Sequence, residues 1–192
     1  MQPSEHAAGG RVIVSTQPLS IFSKLHDDLC DQAYSAGNQP IDLLYCLPGN
    51  RSKMYQAPTK QFIRDLLIQK KVDIWDGLDP KLRQHYPNSV SQHRIVFYDS
   101  CRGLEGWTTF LDNFDEFWSQ KYNHAMLDGG PAQKLIDDKQ WAQAHAWRWA
   151  MIPLTRSIDT VLIRLSDLDN PASRLILNVG RDLSDFVEIH DA

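Results

Sequence analysis

The sequence predicts an α/β domain, a mainly parallel central sheet flanked by helices. Short runs of β-branched and apolar residues recur along the chain without the in/out alternation of a strand exposed on one face, as in strands covered on both sides. Between several of them lie helix-length stretches, of about 15 residues, whose apolar positions recur at helical spacing. The chain has 192 residues, 42% hydrophobic and 23% charged, which suits one domain with a single good core. No run approaches the ~18 apolar residues of a membrane span.

Residues 1–10 (MQPSEHAAGG) read as a flexible leader, and the domain is expected over 11–192. Arg11–Ser15 (RVIVS) is the first strand. Over 18–36, Leu19, Ile21, Phe22, Leu25 and Leu29 fall at helical spacing, and Gly37 is placed to stop that helix. Residues 41–46 (IDLLYC) form a second apolar run, followed by Pro48-Gly49. Residues 56–71 predict a helix with Phe62, Ile63, Leu66 and Leu67 on one face and Lys70-Lys71 at its negative end. The stretch 72–93 is polar and shows no clear period. Arg94–Asp99 (RIVFYD) is a third buried strand and 107–111 a fourth. Residues 112–130 look like an insertion. A helix is expected over 131–150, and strands at Thr160–Leu165 and Leu175–Val179, with a last apolar strand or turn at 185–190.

The net charge is −4, with 11 basic against 10 acidic residues over 1–100 and 9 against 14 over 101–192. Neither half is basic enough to bind nucleic acid by bulk electrostatics, so any such contact must come from a few placed groups. Cys30, Cys46 and Cys101 are odd in number and form no CxxC, which argues against a disulfide framework or a zinc site. With no secretory signal at the start, reduced thiols and a cytoplasmic location are expected. His26, Asp27, Asp28 and Cys30 lie on a predicted helix where adjacent positions diverge, a poor metal set. Cys101 with His93 and Asp99 is a weak nucleophile candidate. Trp141, Trp147 and Trp149, with Trp107 and Trp118, suit a core better than base stacking.

Two segments carry more specific words. In Phe97–Trp107 (FYDSCRGLEGW) a buried strand runs into a turn bearing Arg102, Gly103 and Glu105. Its glycines allow positive φ or close approach to a phosphate, which Arg102 and backbone amides could bind. In Met151–Ile163 (MIPLTRSIDTVLI) Arg156 lies between a Trp-rich helix and a buried strand. Arginine is the side chain suited to charge on a transferring phosphoryl group.

In this order, about 50 residues apart, SCRGLEGW and PLTRSIDTVLI resemble motifs V and VI of superfamily 1 helicases of the UvrD/Rep type. Their usual forms are close to T-x-H-x-x-K-G-L-E and V-A-L-T-R-A-x-x-x-L. Asp42–Cys46, followed by Asn50-Arg51-Ser52-Lys53, resembles motif IV. The resemblance implies a RecA-like fold, the second motor domain of a DNA helicase or translocase. It implies that Arg156 is an arginine finger and that Arg51, with Lys53 second, approaches the ATP γ-phosphate. Glu105 would contact the ribose, Gly103 would belong to the nucleotide contact, and Thr155 would place the Arg156 loop. Ser100 and Arg102 would touch single-stranded DNA.

The chain contains no G-x-x-x-x-G-K-[ST] and no apolar strand ending in Asp-Glu; Asp115-Glu116 sits in a helix-like aromatic context. In the family those parts belong to the first RecA-like domain. ATP and Mg²⁺ are therefore expected only in an assembly completed by a P-loop domain, either in the same parent chain or in a separate subunit. No ATPase is expected from these 192 residues alone. The alternative is a non-catalytic RecA-like interaction module in a nucleic-acid-processing or defence complex.

Overall fold

A computed structural model describes residues 10–49, 62–129 and 136–191. The elements in order are β1 (Arg11–Ser15), α1 (Leu19–Ser35), β2 (Leu43–Leu47), α2 (Ile63–Gln69), β3 (Ile74–Asp76), β4 (His93–Phe97), β5 (Gly106–Leu111), α3 (Phe114–Asp128), α4 (Asp138–Leu154), β6 (Ser157–Arg164), α5 (Pro171–Asp182) and β7 (Val187–His190). The seven strands form one sheet, β3-β4-β2-β5-β6-β1-β7, and every pairing is parallel.

Alternate strand residues feed two cores. Ile13, Leu43, Tyr45, Ile95, Phe110 and Leu162 face α1 and α2. Val14, Leu44, Cys46, Val96, Leu111 and Ile163 face α3, α4 and α5. The chain moves from β1 through α1 to β2, and through α2 toward β3, on the first face. It returns from β4 to β5, β6 and β7 on the second. Reversing direction while keeping one crossover hand demands this change of face.

Several local expectations are corrected. Leu175–Val179 is not a strand but the middle of α5. Asn170 accepts from the Ala172 amide, Pro171 opens the helix, and Ala172, Leu177 and Gly180 are buried at helical spacing. The insertion-like stretch is α3, whose Phe114, Phe117 and Trp118 are core residues. The polar stretch 72–93 hides β3, an edge strand of three residues. The helix expected over 131–150 spans Asp138–Leu154, capped by Asp137, whose carboxylate accepts from the Gln140 amide. Gly37 does end α1: it takes φ +90°, and the Asn38 amide reaches back to Ala33 O.

Candidate functional site

Strands β4 and β5 are parallel, yet only residues 98–105 join them. That length holds one 3₁₀ turn, Tyr98–Ser100, and no α-helix. The connection runs back across the second face as an irregular crossover, with Tyr98, Cys101 and Leu104 packed on the core. It carries the chain from the carboxyl end of β4 to the amino end of β5. Gly103 makes the turn at φ +82°, a conformation costly for other residues. Gly106 has a different reason. A Cβ there would stand 2.8 Å from Leu44 Cβ and 3.2 Å from Asp42 O. Its close approach is therefore to the protein's own β2 rather than to a phosphate.

Arg156 stands at the amino end of β6, and the Gly106 amide donates to Arg156 O at 2.9 Å. This bond ties the two motif-like segments together and sets Glu105 and Arg156 at the same end of neighbouring strands. The expectation from parallel sheets is a site at the carboxyl ends of the strands. Here the segments converge at the amino ends instead, because the short crossover carries residues 101–105 to the opposite end.

The half-buried Arg156 folds back on its own helix. Its Nε donates to Ile152 O (3.0 Å) and its Nη2 to Thr155 Oγ1 (3.0 Å), while the Thr155 hydroxyl lies within hydrogen-bond distance of Met151 O and Ile152 O. Glu105 is exposed, and its carbonyl accepts from Arg94 Nη2 (2.6 Å). Ser100 Oγ accepts from Arg83 Nη1 (2.7 Å). Arg102 is exposed, 5.8 Å from the Trp149 ring centroid. Lys121 lies 4.1 Å from that same ring and pairs with Asp99. Counted back from Arg102, the histidine of T-x-H-x-x-K-G-L-E falls on Asp99. Arg51 and Lys53 lie outside the described residues.

Beneath the crossover, Cys46 and Cys101 are fully buried. A hydrogen bond between the thiols and the nearby Arg156 charge hold Cys101 below its ordinary range, while burial pushes Cys46 up. His93 is not beside Cys101. It faces the other core, where its ring nitrogens meet Tyr45 Oη and Tyr34 Oη. His26 likewise bonds Tyr45 Oη at 3.0 Å. Among the tryptophans, Trp118 is buried and lies 5.9 Å from Trp147.

At the carboxyl ends of β5 and β6, buried polar groups bond to one another. Arg164 Nε meets Asp112 Oδ1 at 2.5 Å and its Nη2 meets Asn113 Oδ1 at 2.9 Å. Asp115 accepts from the Ser166 and Asp167 amides. These contacts fasten the loops after the two strands to each other. The chain matches no family model, no curated protein and no solved structure. The parallel α/β fold therefore stands on the structure itself, and the functional reading stands on residue geometry.

Reading the sequence missed Arg83, Arg94 and Trp75. With the crossover they line a cavity of about 400 Å³ at the β3–β4 edge of the second face. Trp75 and Arg94 are paired across β3 and β4 and so share that face. The only available signal was an isolated Ile-Trp pair in a polar stretch. A larger cleft of about 590 Å³, lined by α1 and α2 residues, touches neither motif-like segment. No described helix is long and apolar enough to cross a membrane.

Proposed function

We propose that this domain is the second, RecA-like motor domain of a superfamily 1 DNA helicase or translocase, working on an ATP site completed by a P-loop domain. The Gly106–Arg156 backbone bond carries the reading, because it joins the two helicase-like segments at the amino ends of neighbouring strands. In that arrangement Arg156 is the arginine finger and Glu105 meets the ribose, with Gly103 turning the chain between Arg102 and Glu105. Thr155 positions Arg156 through the Nη2–Oγ1 bond. Arg51 is assigned to the γ-phosphate by resemblance alone. Ser100 and Arg102 are assigned to the single strand.

The finger would act by meeting negative charge that develops on the transferring phosphoryl group. Its present bonds use Nε and Nη2, so reaching a partner's nucleotide requires it to leave Ile152 O or to use Nη1. Mg²⁺ and the phosphate cradle belong to the partner, since these 192 residues contain no P-loop sequence. The test is DNA-stimulated ATP hydrolysis by the native assembly recovered with a tagged chain. Arg156→Ala should lower the rate by a factor on the order of 10³–10⁵. A rate within twofold of wild type, with the domain still folded, would sink the motor reading.

A second reading, a non-catalytic interaction module, is favoured by one observation. Among the described residues, the side-chain hydrogen bonds that Arg156 donates go to the end of its own helix, as a purely structural capping arginine's would. It forecasts that Arg156→Ala lowers stability and leaves any assembly ATPase unchanged.

A further inference from the structure

At the β3–β4 edge the second face carries Trp75, Arg94 and Val96. It is walled by the 98–105 crossover on one side and by residues 83–87 on the other, enclosing the 400 Å³ cavity. The walls are held in place. Trp75 Nε1 donates to His85 O (3.0 Å), fixing the 83–87 segment to β3, and Arg83 reaches across to Ser100 Oγ (2.7 Å). Three arginines, Arg83, Arg94 and Arg102, line the space, and no carboxylate does so among the described lining residues. Asp42 acts on Arg94 from outside the cavity, and it is already engaged with the Gln39 amide (2.8 Å). Arg94 is half-buried, and its buried Nε–H has no acceptor among the described residues. A buried donor without a partner is a standing cost that an anion's oxygen would relieve. Trp75 and Tyr86 add aromatic surface, and Tyr86 is 89% exposed.

We propose that this cavity binds one nucleotide unit of a single-stranded nucleic acid, with the phosphate among Arg83, Arg94 and Arg102 and the base against Tyr86 and Trp75. The chemistry favours this ligand. Guanidinium groups match phosphate oxygens in geometry and charge. Aromatic faces accept any base, and a cavity of this volume falls within the range of small-ligand sites. The chain's negative net charge leaves little general attraction for a polyanion, so placed groups must supply the binding. The proposal rests on the reading that the crossover segment faces a nucleic acid. It does not depend on Arg156 or on a P-loop partner.

The test is anisotropy of a fluorescently labelled oligothymidylate titrated with the full 192-residue chain at several salt concentrations. Arg83→Ala and Tyr86→Ala alter exposed side chains outside the core. Each should weaken binding at least fivefold, and Arg83→Ala should also reduce the salt slope by about 0.7, the loss of one phosphate contact on a single strand. Lys24→Ala, on the opposite face, should leave binding within twofold. No measurable binding, an unchanged affinity in both cavity variants, or an equal loss in the Lys24 variant would overturn the proposal. Unlabelled thymidine monophosphate competing as well as the unlabelled strand would assign the cavity to free nucleotide and overturn the strand as its source. Inorganic phosphate competing equally would reduce it to an anion site and overturn the nucleotide. Failure of the finger in the ATPase assay, with these binding losses intact, would remove the motor reading and leave this one standing.

Discussion

At the carboxyl ends of β5 and β6, Asp112 accepts from Arg164 Nε through one carboxylate oxygen and from the Ile63 amide through the other, while its carbonyl accepts from Tyr98 Oη. Asp112 is 1% and Arg164 5% exposed. One residue thus joins α2, β4's exit and β6 across both faces of the sheet. Asp112 supplies the carboxylate to which Arg164 Nε donates, and losing one partner of a buried pair typically costs about 3–5 kcal/mol. Asp112→Ala should therefore destabilise by about that amount in urea unfolding, and Asp112→Asn, which keeps an acceptor, by less. An alanine variant within about 1 kcal/mol of wild type would show that water or a shifted neighbour satisfies Arg164. The two glycines of the candidate site teach the same lesson at closer range. Both belong to an Arg-Gly-x-x-Gly pattern, yet Gly103 answers a left-handed turn and Gly106 a contact with Leu44, so one motif records two unrelated constraints.

The strands with unbroken apolar runs, β1, β2, β4 and β6, were legible in the sequence because burial on both faces leaves no alternation to misread. The stretch Leu175–Val179 shows the cost of that rule. Its three consecutive apolar residues mimic a strand, while the helical evidence lies outside the run, in Asn170, Pro171 and the small residue Gly180. The segments of the candidate site were legible as words, but their meeting at the amino ends was not, since it follows from a crossover too short to hold an α-helix. The cavity was invisible for a related reason: its residues come from an edge strand of three residues, from β4 beside it and from the loops around them. Asn170 carries an element-scale prediction. Its Oδ1 caps α5 through the Ala172 amide, and its Nδ2 donates to Asp115 O (3.2 Å) and Ser119 Oγ (2.7 Å), tying α5 to α3. Gly180 then seats α5 against Val187 and Ile189 of β7, where an added Cβ would stand 3.2 Å from both side chains. Asn170→Ala should cost about 1–2 kcal/mol, and amide exchange should quicken in α5 and β7 before the central strands. Uniform acceleration through all seven strands would mean that α5 and β7 do not open as a separate unit.

For the molecule as a whole, the first core carries a buried network that responds to pH. His26, Tyr45, His93 and Tyr34 form a chain of hydrogen bonds beneath the sheet, with Cys30 beside His26 and Tyr45 Oη and with Asp27 at the outer nitrogen of His26. Tyr45 Oη has one proton for two ring nitrogens, so at least one histidine must offer it an N–H. Burial lowers both histidines, His93 to about 4, despite the raising influence of Asp27 on His26 and of Asp73 on His93. Their ordinary value is 6.5. The unfolded chain therefore binds these protons first as pH falls. The stability held by the neutral His93 ring is present above pH 6.5 and drains away toward about pH 4, by up to about 1.4 kcal/mol per pH unit, and the His26 ring acts in the same direction. Asp115 works in the opposite sense. Burial raises its carboxyl against the bonds from Ser166 and Asp167, so its protonation at lower pH returns part of the loss. The urea midpoint should thus fall between pH 7 and pH 5, and the fall should be smaller in a His93→Gln variant. Equal falls in wild type and variant would locate the proton uptake elsewhere, among the exposed carboxylates and histidines, and would leave the buried network without a part in the acid response.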